Sequence, residues 1–200
     1  MKNNLILALD TTGNSISVAL IGPDKVIAHQ YETMERGQGE ALIPMIEKVV
    51  KKAGRDFKDL TKVAVAVGPG SFTGVRIGLA TARGIGLALN IPVVGVTSFD
   101  VAALETTGKV LVVLDTKRGD FFTQIFQDGE PVEDPIIRNE EQIRKLNPPA
   151  VIGSGVSYLT KGKFKALQMK YEPAVAVGLC SFKKGRAPDP LYLRDADVSI

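Results

Sequence analysis

Two aspartates close apolar runs, and each is followed by threonine: Asp10 with Thr11 and Thr12, and Asp115 with Thr116. A carboxylate at a strand tip, beside turn hydroxyls and amides, can hold a phosphate's magnesium ion through water. The same residues can also simply cap hairpin turns by accepting bonds from nearby backbone N–H groups. Spacing alone leaves both readings open. A third candidate lies between them, the run GPGSFTGVRIG from Gly68 to Gly78.

As a phosphate loop that run fails both familiar templates. Five residues separate Gly68 from Gly74, and Val75 stands where a Walker loop needs its lysine. Three residues separate Gly70 from Gly74, so the GxGxxG dinucleotide pattern fails too. Ser71 and Thr73 still offer hydroxyls at a helix start, where anions can bind.

The helix that follows says more. Gly74, Gly78, Ala82 and Gly86 recur every fourth residue and share one face, with Ala80, Gly84 and Ala88 in a row beside it. Glycine inside a helix costs about 0.8–1 kcal/mol relative to alanine, so a close backbone approach is needed to offset it. Small residues at this spacing permit one. The neighbour can be part of the same fold or a second protein. Arg76 and Arg83, seven apart, lean toward the second protein as polar groups flanking a seam.

These residues need elements to carry them. Leu5–Leu9 reads as a buried strand, Ser15–Ile21 as a strand alternating on Ile16, Val18 and Leu20, and Val26–Tyr31 as its hairpin partner. Gly39–Ala53 has helical period, with Leu42, Met45, Ile46, Val49 and Val50 as its stripe. Then come a strand at Lys62–Val67, the glycine loop, a helix to Leu89, a strand at Val93–Val96, and a helix capped by Ser98 running toward Thr106. After residue 100 the order repeats. VVLDTKRGDFF mirrors LALDTTGNSIS, a helix is expected at Asn139–Leu146 and a strand at Ala150–Ile152, and VIGSG echoes AVGPG.

The expected fold is therefore α/β with duplicated βββαβα halves, residues 1–100 and a smaller 101–200, the C-terminal segment able to return onto the first. That is the architecture of actin-like (ASKHA, RNase H-like) ATPases and sugar kinases, which hold a nucleotide between the halves. Asp10, Thr11, Thr12, Asp115, Gly153 and Gly155 are the residues that would keep a vestige of that site.

Composition bounds the partners. A net charge of +3 suits contact with RNA inside a larger assembly, not a dedicated nucleic-acid binder. The one cysteine, Cys180, rules out an internal disulfide and fits a reducing compartment. MKNNLILALD reaches aspartate after five apolar residues, too few for a secretory leader, and no stretch has membrane-spanning length. A cytoplasmic protein is expected. His29 is the lone histidine, and with no His/Cys cluster neither a zinc site nor a protease constellation is expected.

GPGSFTGVRIG, with LALDTT before it, VLDTKRGDFF after it and PLYLRDADVS near the end, closely resembles the bacterial TsaB (YeaZ) family over nearly the whole chain. That resemblance implies a non-catalytic partner of TsaD, with the small ATPase TsaE, in making the threonylcarbamoyladenosine of tRNAs that read codons beginning with A. It implies that the helices at Gly39–Ala53 and after Gly74 pair with those of TsaD, or of a second copy, as a four-helix bundle. The interface residues would be Leu42, Met45, Ile46, Val49, Gly74, Arg76, Gly78, Ala82 and Gly86. Catalytic relatives carry an HxxxH metal pair at the first long helix, where this chain reads ERGQGEALIP. No catalytic residue, metal or cofactor is therefore expected, tRNA would enter only through the complex, and the isolated chain would be a homodimer. Two readings stand beside this one: a stand-alone actin-fold phosphotransferase using Asp10 and Asp115, and a regulatory homodimer.

Overall fold

The apolar run that opens the chain becomes the middle strand of a sheet. A computed structural model describes residues 4–159 and 162–194. They divide between two units, Met1–Ser98 with Tyr171–Leu191, and Phe99–Lys170 with Tyr192–Ile200.

In the first unit β1 (Ile6–Asp10) pairs antiparallel with β2 (Ser15–Ile21), which pairs with β3 (Val26–Thr33). After α1 (Gln38–Lys52), β4 (Lys62–Ala66) joins the other side of β1 in parallel. Next come α2 (Phe72–Leu89), β5 (Val93–Val96) and α3 (Ser98–Ala103). The sheet order is β3-β2-β1-β4-β5. Helix α2 starts where Ser71 Oγ accepts from the Gly74 amide at 3.2 Å and stops at Asn90, whose φ of 51° ends the helical run. Leu7, Leu9, Ile16, Val18, Leu20, Val63 and Val65 form one side of a core that α1 and α2 close with Leu42, Ile46, Val49, Leu79 and Ala82.

The second unit repeats the plan. β6 (Lys109–Asp115) lies between β7 (Phe121–Gln127), antiparallel, and, beyond α4 (Glu140–Leu146), the parallel β10 (Ala150–Ile152). The third strand differs from expectation: β8 (Glu130–Pro131) and β9 (Ile136–Arg138) are two short pieces that both pair with β7. Asn139 and Gln142 cap α4 reciprocally. The second copy also lacks the long helix that follows β4. Among the described residues after β10 there are a 3-10 turn, Val156–Tyr158, and the edge strand β11 (Lys165–Ala166). Val156, Leu159 and Phe164 are the large apolar side chains that this stretch packs against the second unit's core.

The last helix, α5 (Pro173–Cys180), belongs to the first unit and packs on β1, β2 and β4. It covers the face opposite α1 and α2, where Gly178 lies against Ile21 and Ala8. This is why every residue of β2 is buried, although its alternation suggested one wet face. Residues 186–191 then run along the edge of β5, with Arg186 exchanging two backbone bonds with Gly95.

Candidate functional site

Both Leu-Asp-Thr copies make the same local structure. Asp10 Oδ1 accepts from the Thr12 amide at 2.7 Å, and Asp115 Oδ1 accepts from the Lys117 amide at 2.8 Å. Each aspartate ends its strand by holding the amide two residues on. Their surroundings differ. Asp10 is buried; that burial raises its pKa above the ordinary carboxylate value, opposed by the hydrogen bonds from Thr12, whose hydroxyl donates at 2.8 Å. Asp115 is half-buried, and its own amide donates to Ser154 Oγ at 3.2 Å.

The GPG loop docks onto the first of these turns. Its Gly68–Pro69 peptide is cis, the Ser71 amide donates to the Thr12 carbonyl at 2.8 Å, and the Ser98 amide donates to the Gly68 carbonyl at 2.8 Å. A Cβ on Gly70 would lie 2.5 Å from the Thr12 carbonyl oxygen, and one on Gly74 would run into the Thr11 carbonyl. Thr11 Oγ1 meanwhile donates to the Gly74 carbonyl at 2.6 Å. The glycines bring this loop onto the chain's own backbone. Gly153 and Gly155 are accounted for in the same way, within the second unit. Gly153 has φ 120° and sits on the Val113 carbonyl, and a Cβ on Gly155 would lie 2.7 Å from the Phe121 ring.

The interface residues read from the sequence need correcting. Leu42, Met45, Ile46 and Val49 are core side chains at 0–3% exposure. The Gly74, Gly78, Ala82 and Gly86 face of α2 is buried as well, turned to the chain's own sheet. A Cβ on Gly78 would stand 2.7 Å from Thr11 Oγ1 and 3.4 Å from a Val65 methyl, and one on Gly86 would collide with Val93. The small residues exist because an 18-residue helix lies low on β1, β4 and β5. Of that set only Arg76 is exposed, stacked over the Phe72 ring 3.5 Å from its centroid. Arg83, also exposed, anchors the C-terminal strap through the Pro188 carbonyl at 2.6 Å and Asp189 at 2.7 Å.

The second row, two residues on and so about 200° around the helix, lies opposite the first rather than beside it, and it is the one left open. Ala80, Gly84 and Ala88 are exposed, no atom lies within 4 Å of a Cβ placed on Gly84, and Leu87 beside them is 86% exposed. On α1, Ile43 is 46% exposed. The signal that could have separated the rows was Leu87: a lone large aliphatic belongs with the face that is not pressed on a sheet. Among the described residues no group of three or more His, Cys, Asp or Glu side chains could hold a metal ion. No helix among them is long and apolar enough to cross a membrane. The PLYLRDADVS motif begins at Pro190, and its residues 195–199 lie outside the described residues. Arg194 itself bonds Asp120 within the second unit at 2.5 Å. Burial would raise the Asp120 pKa, but hydrogen bonds from Thr116 and Arg194 and the charges of Arg194 and Arg118 hold it below its ordinary value.

Comparison with known proteins places this geometry. Residues 26–148 match the family model described as TsaD, tRNA N6-adenosine threonylcarbamoyltransferase. The chain is 33% identical over 73% of its length to the Escherichia coli tRNA threonylcarbamoyladenosine biosynthesis protein TsaB, covering 64% of that protein. It is 32% identical over 76% of its length to the TsaB of Buchnera aphidicola, covering 80% of it. In the first two curated relatives the match spans about half of their length or less, 43% and 55%. Among solved structures, YeaZ from Pseudomonas aeruginosa superposes with a TM-score of 0.74 at 23% identity, covering 95% of this chain and 100% of that one. A polyphosphate/ATP-glucomannokinase from Arthrobacter shares the fold at a TM-score of 0.52 and 11% identity, over 88% of this chain and 96% of its own.

Proposed function

Because the chain belongs to the TsaB (YeaZ) family, we propose that it is the accessory subunit that holds a TsaD-like catalytic subunit active in tRNA threonylcarbamoyladenosine synthesis. A TsaE-like ATPase joins the complex, tRNA is modified by the catalytic partner, and the assembly works in the cytoplasm. Without that partner the chain pairs with a second copy of itself.

One observation carries the reading. The α2 face with Ala80, Gly84, Leu87 and Ala88 offers a low surface and one prominent leucine, the combination a second helix can pack against closely. Its opposite face already lies on the sheet, so pairing uses this outer row together with Arg76 of α2 and Ile43 of α1, not the buried glycines. Support for a non-catalytic role comes from residues 35–44, ERGQGEALIP, which contain no histidine to bind a metal at the start of α1.

The test is direct. The full chain is mixed with a TsaD-like subunit and run on size exclusion. A co-eluting complex is expected, and two separate peaks at micromolar concentrations would overturn the reading.

A further inference from the structure

Residues 142–171 contain six basic side chains, Arg144, Lys145, Lys161, Lys163, Lys165 and Lys170, and no aspartate or glutamate. From totals of 25 basic and 22 acidic, that leaves 19 against 22 for the rest of the chain. The mild overall charge thus hides a positive segment on an otherwise slightly negative protein.

The fold gathers the described parts of this segment, residues 142–159 and 162–171. Ile143 of α4, Val151 of β10, and the flanking Val156, Leu159 and Phe164 all pack into one apolar cluster with Leu111, Val113, Phe121 and Ile125. Arg144 and Lys145 are exposed in the last turn of α4, Lys165 is exposed on β11, the outer strand of the sheet, and Lys163 is exposed in the bend that leads into it. Tyr158, on the turn between them, is 59% exposed. Among the described residues, Lys145 pairs with Glu141 at 2.8 Å and Lys170 with Glu105 at 2.5 Å. Arg144, Lys163 and Lys165 carry the field.

Lysines on an outer strand also deter edge-to-edge pairing. That accounts for β11 alone. It does not account for acid-free chain running through a helix end, a turn and a strand. Charges of either sign protect an edge, whereas only cations neutralise phosphates.

We propose that this α4–β11 edge is a landing surface for the phosphate backbone of RNA, with Tyr158 available to stack a splayed base. It rests on the reading above for the identity of that RNA as tRNA. Phosphate contacts of this kind position a nucleic acid without reading its sequence. The surface would orient tRNA toward the catalytic partner.

The test uses the full chain, alone and with the TsaD-like subunit, and an unmodified tRNA transcript titrated at several salt concentrations. Lys163→Glu/Lys165→Glu keeps the edge charged but reverses its sign. Binding should weaken at least about tenfold, and the slope of log K against log salt should become shallower by roughly 2. Arg144→Glu, on a separate element, should lower the slope by about 1. Melting temperature and co-elution with the TsaD-like subunit should not change. Equal affinity and slope in both variants, or no tRNA binding by the wild type in either form, would overturn the proposal. So would lysine-dependent binding to phosphatidylserine vesicles but not to tRNA. If co-elution fails while lysine-dependent tRNA binding persists, the functional reading falls and this surface stands.

Discussion

Alanine placed at three glycines of α2 should give three different answers, because the helix has one face on the sheet and one in water. At Gly84 a Cβ meets nothing within 4 Å. Only helix propensity changes, and Gly84→Ala should stabilise by about 0.8–1 kcal/mol. At Gly78 the same gain is opposed. The new Cβ would lie 2.7 Å from Thr11 Oγ1, which is held by its 2.6 Å bond to the Gly74 carbonyl. Turning the hydroxyl away leaves buried polar groups without a partner, at about 1–3 kcal/mol. The net effect of Gly78→Ala is destabilising by about 0–2 kcal/mol. At Gly74 the obstacle is the Thr11 carbonyl itself, which no rotamer can move. The helix start must shift, and Gly74→Ala should reach the upper part of the roughly 1–3 kcal/mol range of overpacking, or exceed it. Urea unfolding followed by circular dichroism measures all three. The expected order is Gly84→Ala above wild type, then Gly78→Ala, then Gly74→Ala. A neutral Gly74→Ala or a destabilising Gly84→Ala would refute this placement of the helix.

Three further outcomes follow from the same structure. Leu87→Glu should leave stability within about 0.5 kcal/mol, as an exposed substitution does, while abolishing self-association and co-elution with a TsaD-like subunit; intact association by sedimentation would count against the outer row as the seam. Asp10 has a raised pKa in the fold, so between the ordinary carboxylate value and that raised value the native state binds more protons, and stability falls as pH rises. Asp10→Asn keeps an oxygen to accept from Thr12 and should melt higher than wild type near pH 7, with the gap closing below pH 3.8; a lower melt at every pH would show that burial of the carboxylate is not the dominant effect at this turn. Asp120 is shifted the other way, so its contribution is present above the ordinary carboxylate value and is lost as pH falls through its depressed one. Arg194→Ala should raise the Asp120 pKa in a carboxyl NMR titration and cost no more than about 1 kcal/mol, since the pair is partly exposed; an unmoved pKa would show that Arg194 does not set it.

Much of this was legible because burial imposes a period. Strands Ser15–Ile21, Val93–Val96 and Ala150–Ile152 run over the residues their apolar patterns mark, and Asn139 announces α4 by its reciprocal bond with Gln142. The repeated Leu-Asp-Thr became a repeated turn. What the pattern could not carry was the identity of the neighbour. Gly74, Gly78, Ala82 and Gly86 define a face that something approaches closely, and spacing is the same whether that is a sheet or another protein. Leu42, Met45, Ile46 and Val49 raised the same ambiguity and proved to be core. Helix α5 was missed for a different reason: PAVAVGLC is apolar on all sides, buried against β1, β2 and β4, and shows no stripe. Its coverage of the far side of β2 depends on chain returning from beyond residue 170, a return the sequence reading allowed for without marking the helix or the face it covers.

The measurement that bears most directly on the functional claim is reconstitution of the tRNA modification from purified parts. Threonylcarbamoyladenosine would be quantified with the TsaD-like subunit, the TsaE-like ATPase, ATP, threonylcarbamoyl-adenylate and an unmodified tRNA, with and without this chain. Product is expected only when this chain and the TsaD-like subunit are both present, and little or none with Leu87→Glu in its place. Modification by this chain without the TsaD-like subunit, or full modification in its absence, would contradict the account.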